Sequence, residues 1–169
     1  SHNIERLVQN YRSSFLQIAI ELISDVSKYP EVNNILIQME NYFPIDVIKI
    51  AHPDVQIQVG NLFNAVGNMD MFNKYMIHAS NRNDLDIQQS YTVGQLLLEN
   101  SNDTKLAVNH FYDMLIQYSD VFEIYQSLSL AYIKNDQIDA AIKLIEDWIL
   151  LYPKDSKAIE WLNLIKNQS

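Results

Sequence analysis

Four histidines, His2, His52, His78 and His110, are the residues of this 169-residue chain best suited to bind a metal or move a proton near neutral pH. None stands at metal-ligand spacing from another, and no His-Glu-x-x-His run occurs. They read as surface or helix-end imidazoles, with His2 inside a tag remnant, Ser1-His2-Asn3. The chain has no cysteine, which excludes disulfides, thiolate metal sites and cysteine nucleophiles. Carboxylates stand close together at Asp84/Asp86, Asp136/Asp139 and Glu146/Asp147. General acid–base work needs such a pair held in a cleft with shifted pKa values. These pairs fall instead at expected helix starts and on solvent faces, where capping and solubility account for them. Three glycines leave no phosphate-cradling loop and no nucleophile elbow. Trp148, Trp161 and the ten tyrosines could stack on a ligand, but at helical spacing they read as core and inter-repeat packing. The expectation is a chain that is not an enzyme, with no catalytic residue, no cofactor and no metal.

The bulk numbers narrow the partners. The formal net charge is -9, and only 12 lysines and arginines are scattered along the sequence. A groove that tracks a phosphate backbone needs clustered cations, so nucleic acid is excluded as a partner. An anionic membrane surface is disfavoured for the same reason. The most apolar stretches, such as Phe15 to Ile23, are broken by polar residues and too short to cross a bilayer, so no direct membrane insertion is expected. Hydrophobic content is 48% and charged content 20%, ordinary for a globular protein. With only 3 Gly and 4 Pro, helices joined by tight turns are favoured over a β sandwich.

The elements that would position these residues follow from self-similarity. Ala107 and Ala141 are 34 residues apart, and in the same step Tyr91 meets Tyr125, Leu98 meets Tyr132, Phe111 meets Ile145, Leu115 meets Ile149, and Tyr118 meets Tyr152. Such a period marks a stacked two-helix repeat. The best unit is 122–155. Asp120 is its expected N-cap, with Glu123 three residues on as in a capping box. Ile124, Leu128, Ala131 and Tyr132 recur at three- and four-residue spacing, Asn135-Asp136 makes the turn, and Asp136 caps a second helix. Ile138, Ala141, Ile142, Ile145 and Ile149 line its inner face, and Pro153 ends it.

Tyr125, Leu128, Ser129, Tyr132, Ala141, Ile145, Trp148 and Pro153 resemble the spaced consensus of the tetratricopeptide repeat. Ser129 replaces the usual small residue at the helix crossing, Asp136 the turn glycine, and bulky Trp148 the second small residue. One step earlier, 88–121 places Tyr91, Gly94, Leu98, Ala107, Phe111 and Met114 alike. In 53–87, His52-Pro53 opens a helix, Val59, Gly60 and Phe63 match the packing triad, Gly67-Asn68 turns, and Phe72, Met76 and Ala79 face inward. An extra residue or so falls near 81–84. In 12–44, Phe15, Ile18, Ala19 and Leu22 fit a first helix, and Val32, Leu36 and Met39 fit a second that Pro44 ends, with an insertion at 25–29. Residues 45–52 form an apolar connector. Residues 156–167 make a capping helix with Ala158, Trp161, Leu162 and Ile165 inward. The resemblance implies an all-α, right-handed α-α superhelix of three to four hairpins plus a cap, in one domain over 4–169.

It also implies a non-catalytic scaffold that binds protein or peptide. The repeat phase places Ile57, Asn61, Asn64, Gln89, Thr92, Leu96, Glu99, Glu123, Gln126, Leu130 and Ile133 on the concave face. This set is polar and amide-rich, suited to the backbone of an extended peptide. Basic residues that would clamp a terminal carboxylate are missing from it. The run 10–19 around Tyr11-Arg12, followed by 40–44, is similar to a segment of multi-spanning bacterial glycosyltransferases acting on lipid-linked sugars. That similarity implies the alternative of an accessory extracytoplasmic tail of a longer protein; otherwise the compartment is cytoplasmic. Self-association through an exposed apolar end helix is a third expectation.

Overall fold

The computed structural model describes residues 2–167. Ser1, at the head of the tag remnant, and Gln168 and Ser169, at the end of the expected domain, lie outside them. Among the described residues every regular element is helical: α1 (His2–Leu22), α2 (Tyr29–Tyr42), α3 (Pro53–Ala65), α4 (Met69–Ser80), α5 (Ile87–Asn100), α6 (Thr104–Gln117), α7 (Phe122–Lys134), α8 (Ile138–Leu151) and α9 (Ser156–Asn167), with a 3₁₀ turn at Val26–Lys28. The chain divides into two compact units, Ser1–Gln89 and Ser90–Ser169, and the division falls inside α5.

The second unit follows the repeat read from sequence. Helix α6 starts at Thr104 and ends at Gln117; α8 starts at Ile138 and ends at Leu151, the same bounds shifted by 34 residues. Ala107 and Ala141 occupy the fourth position of each helix, and both are buried. At Gly94 the two helices of the α5/α6 hairpin meet so closely that an added Cβ would lie 2.5 Å from Phe111 Cζ. That contact is what makes the position glycine. On α7 the 34-residue step places Leu128 at this position, and the small residue is its neighbour Ser129, which is fully buried. Its hydroxyl donates to the Gln126 carbonyl and accepts from Trp161 Nε1 of the capping helix at 2.8 Å. Tyr125, Ile145, Trp148, Ala158 and Ile165 form an apolar cluster that Ile138, Ile142, Ile149, Trp161 and Leu162 cover. Each fully buried side chain of this size contributes roughly 1.5–3 kcal/mol.

Two expected caps differ. Asp120 does not cap α7, whose N-cap is Val121 with no side-chain bond, so the Glu123 capping box is not formed. Asp136 does not cap α8; the N-cap is Gln137. Asp136 instead adopts φ 58°, the left-handed turn conformation that Gly67 adopts at φ 80° in the α3/α4 turn. The role of the glycine is kept, and the carboxylate cannot serve both. The capping box that does form is on α5. Asp86 Oδ1 accepts from Gln89 N at 2.7 Å, and Gln89 Oε1 accepts from Asp86 N at 3.0 Å.

The first unit carries the α3/α4 hairpin as expected, with Val59, Phe63, Phe72, Met76 and Ala79 fully buried. Val32, Leu36 and Met39 face inward on α2, and Ile45 and Ile50 bury the connector. Helix α1 is turned relative to expectation. Its buried residues are Arg12, Leu16 and Ala19, while Ile18 is exposed. The reason is Arg12: an arginine occupies the inner face, and the apolar stripe lies to one side of it.

Candidate functional site

Two arrangements qualify as sites: the expected peptide-binding face, and a polar cluster that the sequence did not announce.

On the expected face the helices divide the residues unevenly. In the first unit Asn61 is exposed and Asn64 half-buried, but Ile57 is buried and unavailable to a partner. Helix α3 packs against both α2 and α4, which widens its buried arc to take in Gln56 and Ile57. Gln89 is committed to its capping box and also donates to Asp54 Oδ1 at 2.9 Å. In the second unit, Tyr91 and Gln95 of α5 bond Ser127 of α7, at 3.1 and 2.9 Å. This leaves Thr92 and Leu96 partly open beside exposed Glu99 on α5, and exposed Glu123 and Leu130 beside half-buried Gln126 on α7. Ile133 packs against the apolar cluster and contributes little to a surface. The accessible remnant is therefore a short strip with an acidic residue on each helix and apolar positions at Leu96 and Leu130.

The second arrangement surrounds the connector between α2 and α3. Arg12, almost fully buried, donates to the Lys49 and Phe43 carbonyls at 2.9 Å each and to the Ile48 carbonyl. Its Nε has no hydrogen-bond partner among the described residues. Arg82 holds the same segment from the other side. Its Nη1 donates to the Ile50 carbonyl at 2.7 Å and to Gln56 Oε1 at 2.8 Å, and its Nη2 to the Ala51 carbonyl at 2.9 Å. Asp84 takes the remaining edge of Arg82 in a two-point ion pair at 2.7 Å. A rigid fork with several donors suits this task better than a lysine would.

Glu40 is the buried counter-charge. It accepts from the Ile45 amide at 3.3 Å, from Tyr75 Oη at 2.6 Å and from Lys74 Nζ at 2.9 Å. Lys74 continues to Asp46 at 2.7 Å, and Asp46 to His78 Nε2 at 2.7 Å. This forms a line of acids and bases from the core to the surface. Hydrogen bonds from Lys74 and His78 hold Asp46 below the usual carboxylate range. The Asp46 bond lifts Lys74, and burial followed by the Glu40 bond pushes the Tyr75 phenol far up. Glu40 ties the connector at the Ile45 amide to Tyr75 and Lys74 of α4, so the cluster fastens the connector to that helix. Beside it lies a cavity of about 470 Å³ lined by Lys49, Gln56, His78 and Arg82, whose guanidinium is already engaged.

His110 is not the surface imidazole expected. It is buried against Gly94, with Nε2 placed 2.6 Å from the Ser90 carbonyl. Burial lowers its pKa. The sequence held one signal for this: His110 falls one residue before the inward Phe111, on the side of α6 facing a glycine. No signal marked Arg12, because an isolated arginine in an apolar helix reads as solvent-facing. Among the described residues no helix is long and apolar enough to cross a membrane. No protein-family description, curated protein or solved structure matches the chain.

Proposed function

We propose that the chain is a tetratricopeptide-type superhelical scaffold that binds an extended protein or peptide segment and performs no reaction of its own. The observation that carries this is the recurrence of the α6 bounds in α8, and of buried Ala107 in Ala141, at a 34-residue step. That construction leaves part of the outward stripe of α5 and α7 open, at Thr92, Leu96, Glu99, Glu123 and Leu130. The open strip of the second unit has Glu99 and Glu123 around Leu96 and Leu130. Charge complementarity favours a peptide with basic residues flanking an apolar one. The test is selection of peptides from a random phage-displayed library on the 169-residue chain. Selected peptides are expected to lose binding to a Glu123→Lys, Leu130→Asp variant that keeps its helical content. Peptides that bind the variant equally well would reject this face.

A second reading, the soluble tail of a membrane glycosyltransferase, draws support from one contact set. The two segments that carry that resemblance meet: Tyr11 stacks on Phe43 at 6.3 Å, Phe15 lies 6.2 Å from Tyr42, and Arg12 donates to the Phe43 carbonyl. Residues that form one structural unit are expected to recur together, as a shared motif does. Membrane spans encoded upstream in the parent gene would support it; a parent without them would remove it.

A further inference from the structure

Helix α1 exposes an apolar stripe along one side. Ile4 is 63% exposed, Leu7 53%, Tyr11 54% and Ile18 49%. Their spacing of three, four and seven residues places them on one side of the helix, with Phe15 and Leu22 completing the line. The stripe lies beside the buried face of Arg12, Leu16 and Ala19, so it is an additional face and not a misplaced core. Tyr42, 70% exposed, widens it next to Phe15.

We infer that this stripe is the contact surface for a second copy of the chain, with the two α1 helices antiparallel. Three features select that occupant. First, the stripe is nearly symmetric about Ser13: Ile4 faces Leu22, Leu7 faces Ile18, and Tyr11 faces Phe15 when the helix is laid against its own reverse. A two-fold interface requires this, since residue i must meet j while j meets i. Second, the exposed charges of the helix are few in a chain of net charge -9: Glu5, Arg6 and Glu21, Arg12 being buried. Two copies meet there with little like-charge repulsion, and antiparallel helices also oppose their dipoles. Third, the size is adequate. Twenty-one residues extend about 31 Å. A pairing of that length is apolar along its middle, with Asn3, Asn10 and Gln17 as an uncharged rim, the arrangement of apolar core and polar edge found in stable interfaces. Ser14, small and close to the crossing, already donates its hydroxyl to the Asn10 carbonyl at 3.2 Å, so covering it leaves no unmatched donor. The inference does not depend on the peptide-binding reading.

The experiment uses the absence of cysteine, because any disulfide must then come from introduced thiols. Leu7→Cys and Ile18→Cys chains are made separately, checked for helical content, and oxidised alone and mixed. The mixture is expected to give a crosslinked species of twice the 19.7 kDa chain mass, with little from either variant alone. In parallel, light scattering of the unmodified chain should show mass rising towards the dimer with concentration, and Leu7→Glu should hold it at the monomer. A monomer at every concentration up to the solubility limit overturns the inference. Crosslinking of Leu7→Cys to itself overturns the antiparallel geometry. A chain that stays monomeric but co-sediments with phosphatidylcholine vesicles assigns the stripe to a lipid surface instead.

Discussion

The two units solve one problem, holding helices together, by different means. In residues 90–169, small residues let α5 meet α6 and α7 meet α9 closely, and apolar side chains fill the space between. In residues 1–89, two guanidiniums hold an irregular connector by its carbonyls, with a buried carboxylate to balance them. Close packing tolerates exchange of one apolar side chain for another of similar volume. A buried charged lock does not, because removing one partner strands the other. The first unit should therefore be sensitive at a few polar positions and the second at a few crowded ones.

The largest effect is expected at the lock. Arg12→Met removes three hydrogen bonds and leaves the buried carbonyls of 43, 48 and 49 without their donor, while Glu40 keeps Lys74. Urea unfolding should show a loss of about 3–5 kcal/mol. A loss below about 1 kcal/mol would show that the connector does not depend on it. The next effect separates the two crossings. A Cβ on Gly94 would meet the Phe111 ring at 2.5 and 2.7 Å and His110 Cδ2 at 2.9 Å, all in rigid groups. A Cβ on Gly60 would meet chiefly the terminal methyl of Met76 at 2.3 Å, which can swing aside. Gly94→Ala should cost about 1–3 kcal/mol and Gly60→Ala less, and thermal melts of both will rank them. Equal losses would mean that Tyr75 Cβ, 3.3 Å from the Gly60 site, governs that crossing.

Smaller still is the cap. Trp161→Phe keeps an aromatic side chain but removes the indole N–H bonded to Ser129 together with part of the ring surface, for an expected loss of about 1 kcal/mol by the same melts. The smallest effect is a pH dependence confined to the second unit. Burial depresses the folded pKa of His110, so the unfolded chain takes up a proton first as pH falls through its ordinary value near 6.5. Stability from this group is thus lost on acidification and unaffected above neutrality. His110→Gln, which can still donate to the Ser90 carbonyl, should reduce the slope of stability between about pH 7 and 5. An unchanged slope would place the dependence elsewhere.

The same contrast explains what the sequence disclosed. Helices α5 to α9 were legible because their residues repeat: Ala107 announces Ala141, and Phe111 announces Ile145. The turn at Asp136 was legible by position, though not its φ, which displaced the expected cap to Gln137. The first unit was legible only where Val59, Gly60 and Phe63 kept the pattern. Arg12 and Glu40 are 28 positions apart, and neither residue type signals burial. Ile18, apolar and correctly spaced, was assigned inward because no local rule distinguishes a core stripe from an interface stripe. Of the positions expected on the binding face, Glu99 and Glu123 are exposed, while Ile57 is buried in packing and Gln89 is engaged in capping.

Both tryptophans, Trp148 and Trp161, lie in the second unit. Indole emission therefore watches one half of the molecule, while far-ultraviolet ellipticity sums over every helix. A chain whose halves melt apart would give two traces that fail to superimpose, and a weakened first unit should lose ellipticity while the indoles stay dark to the change. The protein thus carries its own optical means of telling local from global unfolding, with no label added.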